Sequence, residues 1–423
     1  MQLFSMVKTL KKQRIGFHTD ATGYGGAEQY LKLLMENIDK SCYDVYFFRK
    51  AAYPVHEVFG EELPFIDVVY EGESEHLEKS SDREEISSIK NDSYEHKKKF
   101  SIKSFILKLI PPSLKLYLGL KKDIERKRQI FAQYNLDILH TNDTSPTPDV
   151  AAISAYQAEV SKVIVTFHVL PKLGKSIKDI VYRWLIREVG KAATTVLVNA
   201  EYSKRSWVQY VGHKHKFKVT HLGIDLKLYD NTLNRDQLKN EIKIPCDKII
   251  IGLTGRLTHM KGQLNVVESA VYLVKNFPNI HFLFMGEGEQ RQEIEEKIRQ
   301  LELSQYFTLA GHKSDAPLLT KVYDIALLPS TCYETFGFVN LEAMAYSIPV
   351  IASRFGGIPE VVSDQETGIL VRPNSVEDLV ESIERLLHNP NLRSSMGSAG
   401  RKRVEKYFQL KDMLNKTYQV YEN

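Results

Sequence analysis

Two glutamates, Glu334 and Glu342, border the stretch "ETFGFVNLE" in a chain of 423 residues. Before them "DIALLPS" reads as a buried parallel strand, "TCYETFG" as the loop that follows it, and "FVNLEAMAY" as a helix. Ligands of open α/β sheets bind beyond the carboxyl ends of the strands, so this loop is where a site is expected. Gly337, Phe338 and Val339 fall at the helix start, where amides without helical partners and the positive end of the dipole favour a phosphate. A carboxylate accepts paired hydrogen bonds, and sugars and riboses supply paired hydroxyl donors. The spacing suits one diphosphate between two polyols. A surface Glu334 and a Glu342 with a local helix partner explain the same two residues without a ligand.

A second phosphate-like element is "IIIGLTGRLTHMKGQLNVV", where Arg256 and Lys261 flank a loop between a strand and an amphipathic helix. Arg offers a planar fork and Lys a point charge, a means of neutralising a diphosphate without a metal. The glycine spacing is not that of a Walker loop. Asp-x-Asp occurs nowhere and the His and Cys spacing makes no zinc site, so no metal is expected and the two cations take that task. "MGEGEQ" is a further strand-end glycine turn. "HTDATGYGGAEQYL" puts Gly23, Gly25 and Gly26 between a strand and a helix, where a backbone can approach a ligand closely or make a tight turn. His168 ends the strand "KVIVTFH", and His18, His140 and Asn142 occupy similar strand ends.

These residues need strands and helices to hold them, and the chain supplies an alternation of the two. "RIGFH", "YDVYFF", "LDILH", "KVIVTFH" and "TTVLVNA" form one series, and "DKIIIGLTG", "HFLFMGEG", "FTLAG", "DIALLPS" and "PVIAS" a second, with helical periodicity between them. The expectation is two doubly wound α/β domains. The first runs over 1–225, a polar linker over 226–246, and the second over 247–405, with a helix at 406–423. Residues 72–130 interrupt the first. Within them, 71–96 carry nine acids against three bases and suggest a flexible insertion. Residues 97–128 hold eleven Lys and Arg interleaved with apolar side chains, which suits an anionic membrane surface or, equally, a solvated helix packed on its own domain. Pro111-Pro112 is expected to break any long helix there.

The net charge of +4 is small for this length and no helix-turn-helix accompanies the basic run, so nucleic acid is not an expected partner. Three scattered cysteines fit a reducing compartment. The opening "MQLFSMVKTLKKQR" lacks an apolar core of signal-peptide length, and no run reaches the ~18 apolar residues of a membrane span. A cytoplasmic protein that meets a membrane only from outside is expected.

"GGAE" at 25–28, "TFH" at 166–168, "GLTGRLTHMKG" at 252–262, "MGEG", the Glu-x7-Glu block from Glu334 to Glu342 and "GGIPEVV" at 356–362 together resemble a retaining glycosyltransferase of family 4, with the GT-B fold of two Rossmann-like domains facing a cleft. The resemblance implies that the second domain holds a nucleoside diphosphate sugar, that the first domain binds the acceptor, and that the helix at 406–423 crosses back to the first domain. Glu334 would bind hydroxyls of the donor sugar, Glu342 the ribose, and Arg256 and Lys261 the diphosphate, with amides near Phe338 and Val339 completing the cradle. Gly25 and Gly26 would close over the donor, and His168 would sit by the anomeric centre. Thr335 stands where relatives often have glycine, and "THLGID" where they often have an asparagine. The implied activity moves a hexosyl-type sugar to a glycan or lipid-linked acceptor in cell-surface polysaccharide or glycolipid synthesis. A GT-B epimerase or phosphorylase, or a non-catalytic binding subunit, is the alternative.

Overall fold

Thirteen strands divide between two sheets in the computed structural model, which describes residues 12–21, 25–60, 63–70, 111–145 and 149–423. The first sheet takes β1 (Gln13–Thr19), β2 (Tyr43–Lys50), β3 (Ile66–Tyr70), β4 (Ile138–Asp143), β5 (Lys162–Phe167), β6 (Thr195–Val198) and β7 (Phe217–Val219) in the order β3-β2-β1-β4-β5-β6-β7. The second takes β8 (Ile249–Thr254), β9 (Ile280–Met285), β10 (Phe307–Gly311), β11 (Ile325–Leu328), β12 (Val350–Ser353) and β13 (Gly368–Val371) in the order β10-β9-β8-β11-β12-β13. Its neighbours all pair in parallel.

The sequence dictates this arrangement through burial. β9, "IHFLFM", and β11, "IALL", are buried at every position, as a parallel sheet covered on both faces requires. Strand order reverses between β1 and β4 in one sheet and between β8 and β11 in the other. Each reversal opens a crevice at the carboxyl edge, because the connections on its two sides leave in opposite directions.

Contacts group the chain into two units, Met1–Thr166 with Lys172–Thr194, and Phe167–Pro171 with Thr195–Asn423. Within the second, the helix Leu410–Glu422 is anchored at its start: Ile224 N–H donates to Phe408 O and Leu410 N–H to Ile224 O, both at 3.0 Å. "LGID" is thereby tied to the chain's last helix.

The acidic insertion at 71–96 lies outside the described residues, as does the basic run up to residue 110. From there the expectation of a boundary at Pro111-Pro112 meets the start of a helix. Pro112 is the first residue of a 23-residue helix, Pro112–Tyr134, where its missing N–H has no intrahelical acceptor to lose. Ile124, Lys127 and Phe131 are buried on one side of that helix, and Phe131 meets Phe48 of β2 edge-on at 5.1 Å.

Candidate active site

The loops leaving β8 and β11 meet at the reversal point of the second sheet. Gly262, with φ of +74°, closes the first loop, and a Cβ there would stand 2.2 Å from the Pro329 carbonyl oxygen. Only glycine lets the two loops pack this closely. Across the second loop, "GGIP" does the same: a Cβ on Gly356 would lie 1.8 Å from Glu334 O, and one on Gly357 1.8 Å from Thr335 O. Gly357 N–H donates to Glu334 O at 3.2 Å. The backbone of "ET" is thus held between a lysine-bearing loop and a glycine pair.

The side chains follow from that packing. Lys261 Nζ donates to Glu334 Oε2 at 2.7 Å, and Ser330 Oγ to the same oxygen at 3.1 Å. Burial alone would raise the Glu334 carboxyl, but the Lys261 ammonium and the hydrogen bonds from Lys261, Ser330 and the Phe336 amide outweigh it and hold the group below its ordinary range. Glu334 is ionised at neutral pH. Arg256 is exposed, and its side chain has no partner among the described residues. Gly337 precedes the helix Phe338–Ala345, so the amides of Phe338 and Val339, its first two residues, have no intrahelical acceptor.

Glu342 lies one turn inside that helix and is buried. Its partner is Tyr229, 113 positions back; burial pushes its carboxyl up to about 7, and the tyrosine bond offsets this only in part. Near pH 7 it therefore exists in both protonation states.

His168 belongs to the same unit as Glu334. Thr335 Oγ1 donates to His168 O at 2.9 Å and accepts from Asn199 Nδ2 at 3.2 Å. Thr335 thus ties the backbone of His168 to the carboxylate loop. Burial drives the His168 imidazole down to about 3, so the ring is neutral. Glu360 of "GGIPE" accepts from the amides of Glu201 and Tyr202, each at 2.8 Å, and holds the start of the helix Glu201–Val211. Lys261, Glu334, the helix opening and the backbone of His168 are therefore brought together. Gly25 and Gly26 lie in the other unit, exposed at the start of the helix Gly26–Asn37. Ser330, Tyr229 and Glu360 carry no local sequence signal of these roles; "GGIPEVV" entered the family resemblance without a role for its glutamate.

A sequence model described as Glycosyl transferases group 1 matches residues 234–403, and one described as Glycosyltransferase Family 4 matches residues 24–228. The chain is 26% identical over 295 residues to UDP-Gal:alpha-D-GlcNAc-diphosphoundecaprenol alpha-1,3-galactosyltransferase of Escherichia coli, covering 68% of this chain and 75% of the relative. To the GDP-mannose-dependent monoacylated alpha-(1-6)-phosphatidylinositol monomannoside mannosyltransferase of Corynebacterium glutamicum it is 28% identical over 271 residues, 60% of this chain and 68% of that one. The crystal structure of Anabaena HepE in complex with UDP and glucose matches with a TM-score of 0.74 at 18% identity, over 97% of this chain and 100% of the other. Sucrose-phosphate synthase from Thermosynechococcus elongatus matches with a TM-score of 0.73 at 21% identity, over 97% and 98%. These two likenesses establish the fold, GT-B.

Proposed function

Because the chain belongs to glycosyltransferase family 4, we propose that it is a retaining hexosyltransferase, moving sugar from a nucleoside diphosphate to a hydroxyl of a glycan or lipid-linked acceptor in cell-surface polysaccharide or glycolipid synthesis. The observation that carries the reading is the Lys261–Glu334 pair beside the opening of the helix Phe338–Ala345, at the reversal point of the second sheet. Relatives named for UDP-Gal and for GDP-mannose as donors support a nucleotide sugar.

In this reading Lys261, Arg256 and the amides of Phe338 and Val339 face the diphosphate, whose negative charge grows as the glycosidic bond breaks. Preorganised donors in a cleft that excludes water stabilise that charge most when it is fully developed. Glu334 accepts hydroxyl hydrogen bonds from the donor sugar and Glu342 from the ribose. Neutral His168 presents a hydrogen-bonding ring near the anomeric carbon without adding a charge that repels an oxocarbenium-like centre. The acceptor oxygen forms its bond on the face the phosphate leaves, and its proton passes to a donor phosphate oxygen. No divalent ion is needed in this scheme, since two side-chain cations serve the diphosphate.

The described half of the basic segment supports contact of residues 97–128 with an anionic membrane at its cytoplasmic face: Leu114 and Leu118 are exposed beside Lys115, Lys121 and Lys122. No helix among the described residues is long and apolar enough to cross a membrane.

The test is turnover of labelled UDP- and GDP-hexoses with a lipid extract as acceptor, in EDTA, with the anomeric configuration of the product read by NMR. Transfer with retention is expected. Inversion, or no transfer from any donor, contradicts the proposal.

A further inference from the structure

The chain that follows "LGID" has no part in the donor chemistry described above, yet it reaches the carboxyl buried in the helix Phe338–Ala345. Tyr229, Asp230 and Asn231 leave the 3-10 turn Leu226–Leu228, and each is anchored at the last turn of that helix. The Tyr229 ring meets the Tyr346 ring edge-on at 5.0 Å. Asp230 Oδ1 accepts from Arg401 at 2.7 Å, and Arg401 also donates to Ala345 O at 2.8 Å. Asn231 Nδ2 donates to Tyr346 Oη at 2.9 Å, while Lys321 Nζ donates to Asn231 O at 2.8 Å and to its Oδ1 at 3.1 Å.

These anchors fix the Tyr229 hydroxyl. Tyr346 stands one turn beyond Glu342, so a ring packed on Tyr346 lies beside that carboxyl, and Tyr229 Oη donates to it. Both side chains are buried. Burial, and after it the Glu342 charge, pushes the Tyr229 phenol up, so it remains a donor wherever Glu342 titrates.

Tyr323 and Tyr346 face the same carboxyl, but their hydroxyls have other partners: Tyr323 Oη bonds Thr254 Oγ1 of β8 at 2.8 Å, and Tyr346 Oη accepts from Asn231. The neighbouring charges are matched elsewhere, Lys321 to Asn231 and Arg401 to Asp230. A phenol therefore orients Glu342 where an ammonium orients Glu334. An ionised carboxylate has about four lone-pair sites, and one taken by Tyr229 leaves the rest open to paired hydroxyls.

We propose that Tyr229 is a positioning residue for the donor: by donating to Glu342 it fixes the carboxylate in the rotamer and the ionised state that accept both ribose hydroxyls of the nucleotide. The proposal rests on the reading of Glu342 as the ribose ligand. Donor affinity then rises with pH as Glu342, raised to about 7 by burial, loses its proton. The tyrosine sets where that rise falls. A hydrogen bond to the ionised form lowers the carboxyl, so deleting it moves the rise to higher pH.

Calorimetric titration of the full chain with UDP and GDP between pH 6 and 9 tests it, alongside their 2′,3′-dideoxy analogues, which carry the same diphosphate and so control for its own titration. Tyr229→Phe keeps the ring on Tyr346 and removes one oxygen. It is expected to bind the preferred nucleotide about fivefold more weakly than the wild type near pH 6.5 and about equally near pH 9, with no such difference for the dideoxy analogue. Asp230→Ala loosens the same segment but keeps the hydroxyl, and is expected to lower the unfolding temperature while leaving the pH profile in place. An unchanged profile in Tyr229→Phe, an equal loss for the dideoxy analogue, or a shift as large in Asp230→Ala overturns the positioning role and leaves the donor reading standing. Wild-type binding that is indifferent to the ribose hydroxyls removes the ribose role of Glu342 and the proposal with it; binding of neither nucleotide removes the donor reading as well.

Discussion

Lys261 Nζ lies 2.7 Å from Glu334 Oε2, joining the loop after β8 to the loop after β11 where the strand order of the second sheet reverses. Both partners are needed by the proposed donor, one for the diphosphate and one for the sugar. Their pairing stores each in place before the donor arrives. Glu334 is nearly buried, so removing the lysine leaves a charge with little water to replace it. Lys261→Met is expected to lower stability by about 3 kcal/mol, with the double variant Lys261→Met/Glu334→Gln recovering part of the loss, as read by urea unfolding. Because the Glu334 carboxyl sits below its ordinary range in the fold, the pair stabilises above the ordinary carboxylate pKa and its contribution is lost as pH falls beneath it. Lys261→Met should flatten that acid limb; an unchanged limb contradicts the pairing.

Glu342 has the opposite sign. Its carboxyl titrates at about 7 in the fold against 4.5 ordinarily, so the folded chain holds a proton that the unfolded chain has released. Its stabilising contribution is complete below about 4.5 and fades as pH rises through about 7. Asp143, raised to about 7 chiefly by burial, acts in the same direction. Glu342→Gln should therefore remove one part, not all, of the decline in unfolding temperature between pH 5 and 8. An identical slope in the variant is inconsistent with a buried, proton-holding Glu342.

The threonine in the carboxylate loop gives a prediction about rate. Thr335→Val deletes the hydrogen bond to His168 O while keeping shape, and Thr335→Ser keeps it. Valine should lower kcat about tenfold with the donor KM little changed, and serine should restore most of it. Equal effects of the two variants would show that the hydroxyl does not position His168.

Gly357 tests the packing that shapes the loop. A Cβ there meets Thr335 O at 1.8 Å, and backbone cannot yield as a flexible side chain would. Gly357→Ala is expected to cost about 1–3 kcal/mol and to abolish thermal stabilisation by nucleotide sugars, both read in one scanning experiment. A variant with wild-type ligand stabilisation would detach this glycine from the site.

Membrane contact through the basic helix should depend on charge. Vesicles of phosphatidylglycerol, and not of phosphatidylcholine, are expected to sediment with the chain at low salt, with binding reduced severalfold in Lys115→Glu/Lys121→Glu/Lys122→Glu and at 0.5 M NaCl. Binding that is indifferent to lipid charge and salt counts against an electrostatic surface.

How much of this was readable in advance depended on range. Strands buried on both faces, the glycine turns at their ends and the Glu334 to Glu342 spacing are local patterns, and they pointed to the loops that meet at the reversal of the second sheet. Partners were not readable, because they are chosen by the fold: Tyr229 finds Glu342 across 113 residues and Thr335 finds His168 across 167. Lys127 read as one of many surface cations in a basic run, yet the helix turns it inward onto Asp20 and Asp149. The double proline is a local signal of a helix boundary, and Pro112 stands at the first position of the helix Pro112–Tyr134.

The most direct measurement is a crystal structure of the chain with an intact nucleoside diphosphate sugar. The account predicts the diphosphate within hydrogen-bonding distance of Lys261 Nζ and the amides of Phe338 and Val339, the sugar against Glu334 and the ribose against Glu342. A donor bound with its diphosphate away from Lys261 and that helix opening would contradict it.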